Sequence, residues 1–355
     1  MRLFIIAHNQ LGIPAVQIQA KIKELLQGLE QSLDTQVYVV GEHFPSSFIQ
    51  FCYDKNEVTI IEQKEADKMM KQITNAAIIH FGSNVNGAKS FPQYFIPLLL
   101  PEHIQGVGKI EAYLLKRRFN KWLQNAFKVI CINDWIKEAI IQFYPGLNYT
   151  IVDCYVPITA PKSFEWYELS SAKDKLTQGD NYFLVFAPAA RLVSILKEFS
   201  IFKKWQHTTM RLVFIVETDK ELIRAHELLK GYKFKEAVSI HLAEDLSLEW
   251  IAATYSILWE DINYLKANWI EYAVQYDIPM LFDHQIGLPE TWVKAGEVFD
   301  FSAQQALSNH FKLYYKDEVY RQARARMGRE WNSQLNIDRM NLGLFNKIVL
   351  SHITG

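Results

Sequence analysis

The chain has 355 residues, 49% of them hydrophobic and 22% charged; it is too long for one ordinary domain and too apolar to be disordered or low-complexity. Thirty-eight Lys and Arg against 39 Asp and Glu leave a net charge of −1, which argues against a nucleic-acid-binding protein. Cys52, Cys131 and Cys154 make no C-x-x-C pair, so neither a disulfide framework nor a thiolate metal site is expected.

No apolar run approaches the ~18 residues that a bilayer span needs. The run at Met1–His8 is too short for a secretory leader and has no small-residue cleavage site after it. A cytoplasmic protein is the expectation. Leu3–Ala7 reads as a first buried strand. Pro14 suits a first helical turn, and Ala15, Ile18, Ile22, Leu25, Leu26 and Leu29 follow as a stripe of helical period. Strands are predicted at 37–40, 58–61, 76–81, 95–100 and 129–132, and helices at 110–127 and 136–143, the last stopped by Pro145-Gly146. Residues 157–181, with Pro157, Pro161, Ser170, Ser171 and Gly179, read as a linker with some helix in it.

The alternation then restarts. Strands are predicted at 182–186, 212–216, 238–242 and 279–282. Helices are predicted at 194–205, 220–229, 248–255, 269–276 and 303–314, with an all-helical tail from Lys316. Continuous apolar strands separated by helices imply parallel sheets covered on both faces. The pattern predicts an α/β protein of two Rossmann-like, doubly wound domains, 1–158 and 159–335. Facing each other, they would set the carboxyl ends of their strands along a central cleft, where open α/β sheets bind ligands.

Neither half carries G-x-G-x-x-G or a P-loop after its first strand, which weakens dehydrogenase and NTPase readings. H-E-x-x-H and G-x-S-x-G are absent as well. Arg191 and Lys197 fall just after a predicted strand, near a helix start. Cations there oppose the helix dipole unless an anion sits beside them, and a diphosphate is one such anion. Surface cations beside a turn are the plainer alternative. The helix over 110–127 places Lys116, Arg117, Arg118 and Lys121 near an apolar stripe of Leu115, Phe119, Trp122 and Leu123. Its basic face is either simply solvated or a patch for anionic lipid or a lipid-phosphate acceptor.

The order Phe183-Leu-Val-Phe-Ala, Arg191, Lys197, Glu271, Pro279, Leu288-Pro289-Glu290 and Val298-Phe299-Asp300 resembles the donor half of family 4 glycosyltransferases, which have the twin-Rossmann GT-B fold. The segment from Arg117 to Asn133 is similar to that family's first half more loosely. The resemblance implies a retaining, metal-independent transfer from a UDP- or GDP-sugar to a glycan, protein or lipid-linked acceptor. The nucleotide sugar is then a substrate, and no cofactor is implied. Arg191 and Lys197 would hold the diphosphate and stabilise its departure. Glu271 and Glu290 would bind the donor, and His103 would stand near the donor sugar as a third catalytic residue. The resemblance also implies that the tail, 336–355, packs back on the first domain, and it suggests peripheral association with the inner face of a membrane.

Several positions depart from that pattern. The family pairs two glutamates eight residues apart, but Asn263 stands eight before Glu271, and Glu260 stands eleven before it. Glycine turns after the first strands are missing. These departures keep open a catalytically inactive GT-B protein that binds or scaffolds another glycosyltransferase. An epimerase of the same fold is disfavoured, because its carboxylates and histidines find no match.

Overall fold

The computed structural model describes residues 2–7, 18–19, 22, 26, 36–41, 44, 46–54, 58–73, 76–81, 91–97, 100–101, 109–131, 134–147, 149–153, 163–260, 267–286, 288 and 290–339. The chain divides into two compact units, one built on residues 1–157 and the other on 158–337. Residues 340–355, most of the tail expected to return to the first domain, lie outside the described residues.

In the first unit, seven parallel strands form one sheet: β1 (Arg2–Ala7), β2 (Gln36–Val40), β3 (Val58–Ile61), β4 (Ala76–Phe81), β5 (Gln93–Ile96), β6 (Lys128–Cys131) and β7 (Ile151–Asp153). Their order is β3-β2-β1-β4-β5-β6-β7. All six residues of β4 are buried, as expected of a central parallel strand covered on both faces. The helices described here are α1 (Ser46–Tyr53), α2 (Gln63–Met70), α3 (Lys109–Asn125) and α4 (Asp134–Phe143). Ile18, Ile22 and Leu26 are helical and buried, one turn apart. The structure starts β5 at Gln93 and ends it at Ile96, earlier than predicted, since Pro97 has no N–H to give the ladder. Helix α3 docks through Leu115, Phe119, Trp122 and Leu123. Phe95 of β5 meets Phe119 and Trp122 edge-on, with ring centroids 5.5 and 6.0 Å apart.

The second unit carries six parallel strands: β8 (Tyr182–Phe186), β9 (Arg211–Val216), β10 (Val238–Leu242), β11 (Ser256–Trp259), β12 (Met280–Asp283) and β13 (Glu297–Phe299). Their order, β10-β9-β8-β11-β12-β13, is the doubly wound Rossmann order. Its helices are α5 (Trp166–Thr177), α6 (Leu192–Trp205), α7 (Asp219–Leu229), α8 (Leu248–Ala253), α9 (Ala267–Gln275), α10 (Glu290–Val293), α11 (Ala306–Lys316) and α12 (Glu318–Arg339). Helix α5 forms inside the stretch that reads as linker. Its start is fixed by a capping box between Glu165 and Glu168, and left-handed Gln178 and Gly179 (φ 59° and 88°) end it.

The predicted helix over 248–255 ends early, as α8 stops at Ala253, and the strand that follows it, β11, was not among those predicted. Thr254 makes the break, its backbone extended and its one hydroxyl proton shared between the Tyr182 and Ser256 carbonyls, each 3.1 Å away. The core under this sheet is aromatic. Phe183 stacks on Phe311 at 4.2 Å, and Phe202 meets both rings edge-on. Gly296 lets β13 close on β12, because a Cβ there would lie 2.7 Å from the Met280 carbonyl oxygen and 2.6 Å from the Phe282 ring.

Candidate functional site at the crest of the second sheet

In the second sheet, β8 and β11 are neighbours whose connections leave in opposite directions. Their carboxyl ends therefore flank the topological switch point, where doubly wound sheets open a crevice. The last residues of the two strands, Phe186 and Trp259, are in register, and their rings stack at 4.1 Å. The ladder continues one step further, as the Glu260 N–H donates to the Phe186 carbonyl at 2.9 Å. That bond fixes the position of Glu260 at the crest.

Arg191 reaches the same place from the other strand. After β8, Pro188 starts a single 3-10 turn over Ala189–Arg191, and Arg191 caps α6 with its backbone alone. Glu221, near the start of α7, steadies that turn by accepting the Ala189 N–H at 3.3 Å. The Arg191 Nε–H donates to Glu260 Oε2 at 2.7 Å, and Nη2 donates to Asp283 Oδ2, at the end of β12, at 2.9 Å. Phe301 lies against the guanidinium, 4.5 Å from Cζ to the ring centroid. The anion that a cation at this helix start requires is thus supplied twice by the chain itself.

The row of charges extends along the crest. His284 Nδ1 lies 3.2 Å from Asp283 Oδ1 and 3.5 Å from Asp300 Oδ1. Asp300 is held below the usual carboxylate range by the Ser302 hydroxyl and N–H, which donate to it at 2.6 and 2.8 Å. Glu260 behaves oppositely. Burial pushes its carboxyl up to about 7 against the pull of Arg191, and nearby Asp283 adds to the rise. The Glu260 side chain is fully buried, and its Oε1 has no hydrogen-bond partner among the described residues. The Arg191 side chain remains 32% exposed, while the side chains of both its carboxylate partners are buried.

The candidate residues are not all brought together. Lys197 stands in the second turn of α6 on its exposed side, along with Val193, and is not part of the Arg191 charge cluster. Glu271 is buried within α9, 4% exposed. Glu290 opens α10, but its side chain lies outside the described residues, as does the whole of His103. His80 is buried and paired, its Nε2 lying 3.0 Å from Gln93 Oε1. Asp283 carried no sequence signal. Glu260 had only its position eleven residues before Glu271. Among the described residues, no group of three His, Cys, Asp or Glu could hold a metal ion.

The basic helix α3 is exposed at Lys116, Arg117, Arg118 and Lys121. The same outer side also exposes Ile110 (79%), Tyr113 (66%) and Leu114 (45%). Residues at 110, 113, 114, 117, 118 and 121 share one helical face, apolar in its first half and cationic in its second. No helix among the described residues is long and apolar enough to cross a membrane.

No family model matches this chain, and no curated protein matches it by sequence. Solved structures do match. HepE of Anabaena, crystallised with UDP and glucose, is 12% identical with a TM-score of 0.70 over 100% of this chain and 99% of that one. A glycosyltransferase from Rickettsia africae is 12% identical with a TM-score of 0.67, over 98% and 96% of the two chains. WaaG, a glycosyltransferase involved in lipopolysaccharide biosynthesis, is 12% identical with a TM-score of 0.62, over 99% and 100%. Two Rossmann-like parallel sheets, matched over nearly the whole chain by these structures, give the protein the GT-B fold of glycosyltransferases.

Proposed function

We propose that the protein is a glycosyltransferase that moves a sugar from a UDP- or GDP-sugar to an acceptor hydroxyl, with the donor diphosphate bound at the crest of the second sheet. One observation carries this reading: a partly exposed Arg191, fixed in place by Glu260, Asp283 and Phe301 at the switch point of a Rossmann-ordered sheet. HepE, which shares the fold, has been crystallised with UDP and with UDP-glucose. A guanidinium held in advance where negative charge grows on a leaving diphosphate stabilises the transition state without moving. Glu271 and Glu290 remain the candidates for donor contacts, Lys197 for a second cation and His103 for the sugar side. The transfer is proposed to be retaining, with cations doing the work that a metal does elsewhere.

Calorimetry with UDP, GDP and their sugar conjugates tests the donor. Binding by the native protein that Arg191→Ala weakens by tenfold or more supports the reading. No binding of any of them leaves the scaffold alternative instead. NMR of the product anomer, with and without EDTA, tests retention and metal independence.

The acceptor is proposed to be lipid-linked and met at a membrane surface, with the protein peripheral to the cytoplasmic face. The support is the outer face of α3, which joins three exposed apolar side chains to a cationic stretch. Apolar side chains sink into the headgroup boundary while Lys and Arg meet anionic lipid.

A further inference from the structure

We propose that Glu260 is a positioning residue for Arg191 whose carboxylate takes up a proton from the buffer when a diphosphate pairs with that guanidinium, so that donor binding is proton-linked. The proposal rests on the reading that this crest binds a nucleoside diphosphate.

The geometry leads there in three steps. Arg191 spends Nε on Glu260 and Nη2 on Asp283, while Phe301 covers a face of the guanidinium. Nη1 carries no hydrogen bond among the described residues, while Nη2 uses one of its two N–H groups, so Nη1 is the nitrogen with both donors left for a ligand. With both carboxylates ionised, the cluster carries one negative charge more than positive. A diphosphate that approaches Nη1 therefore draws on a guanidinium already shared by two carboxylates, and it brings further negative charge close to them. Neutralising one carboxylate removes the conflict.

The two carboxylates differ in which can give way. Asp283 also accepts the Gln285 N–H through Oδ1 and faces His284 Nδ1 at 3.2 Å, so its charge has partners besides Arg191. Among the described residues, Glu260 has Arg191 alone for its charge, and its buried Oε1 has no hydrogen bond. Among the described residues, the charged groups facing Glu260 are Arg191, from the turn after β8, and Asp283, from β12, with His284 and Asp300 beyond Asp283. Burial already lifts the Glu260 carboxyl to about 7, so an arriving anion moves it through neutral pH. The only bond change is protonation of the carboxylate by the buffer acid, and release of the diphosphate reverses it.

The test is calorimetry of UDP-glucose with the full-length protein at pH 7.5, in HEPES and in Tris, whose ionisation enthalpies differ. UDP-glucose is chosen because each of its phosphates keeps a single charge across this range. The native protein should take up about half a proton or more, and its Kd should rise by up to tenfold per pH unit between pH 7 and pH 9. Glu260→Gln keeps an oxygen for Arg191 Nε but cannot titrate. It should bind with little proton uptake and a flat pH profile, and at pH 8.5 at least as tightly as the native protein. His284→Ala should retain the uptake. Proton uptake that persists in Glu260→Gln, or that vanishes only in His284→Ala, overturns the proposal and leaves the donor reading standing. If the native protein binds GDP-glucose instead of UDP-glucose, the same buffer pair is applied to that ligand; failure to bind UDP, GDP or any of their sugar conjugates overturns both.

Discussion

The Arg191 Nε–H donates to Glu260 Oε2 at 2.7 Å across 69 residues of chain. This bond ties the turn after β8 to the end of β11, the two neighbouring strands at which the connections of the sheet diverge. It fixes the position of the guanidinium and places a buried carboxylate against it.

Arg191→Ala leaves two buried carboxylates without their shared cation. Removing one partner of a buried pair costs about 3–5 kcal/mol, and the partial exposure of Arg191 favours the lower end. Urea denaturation at pH 7.5 should show that loss for Arg191→Ala and a smaller one for Arg191→Lys, which keeps the charge but not the fork. Equal, negligible losses in both would mean that the cluster contributes nothing to the fold.

The pH dependence of stability has a defined sign. The folded Glu260 carboxyl lies near 7, above its ordinary 4.5, so the native state favours the neutral form. Its contribution is complete below about pH 4.5 and is lost as the pH rises through about 7. The native protein should therefore lose on the order of 1–3 kcal/mol relative to Glu260→Gln between pH 4.5 and pH 7.5. Paired denaturation curves at the two pH values measure this, and a constant difference between the two proteins refutes it.

Arg117→Glu, Arg118→Glu and Lys121→Glu combined should abolish sedimentation with phosphatidylglycerol vesicles. Binding by the native protein should fall steeply from low to physiological salt, as each cation near the surface contributes ~1 kcal/mol of screened attraction. Ile110→Ser with Leu114→Ser should weaken binding at every salt concentration. All five positions are exposed, so melting temperatures should hardly move. If the native protein ignores anionic vesicles even at low salt, the acceptor is a soluble protein or glycan.

Phe311→Ala should destabilise the second unit by about 3–5 kcal/mol, because its fully buried ring stacks on Phe183 and touches Phe199 and Phe202. Phe311→Leu should cost markedly less. Similar small losses for both would show that the core collapses around the gap.

The alternation of apolar strands and amphipathic helices was legible along the chain because burial on both faces of a parallel strand leaves a continuous apolar run, as in β4 and β8. Where the local signal was mixed, it misled. Helix α8 and strand β11 form one apolar stretch that only the backbone break at Thr254 divides. Arg191 could be singled out because a cation at a helix start is locally anomalous. Its partners could not: Glu260 and Asp283 lie 69 and 92 residues further on, and no periodicity links them to it. The sequence by itself determined which faces are buried, since hydrophobic spacing is a local property of strands and helices. Only the tertiary structure decided the site, since strand order is a property of the whole packed sheet. That order places the ends of β8, β11 and β12 side by side and so brings three distant charges within hydrogen-bonding distance.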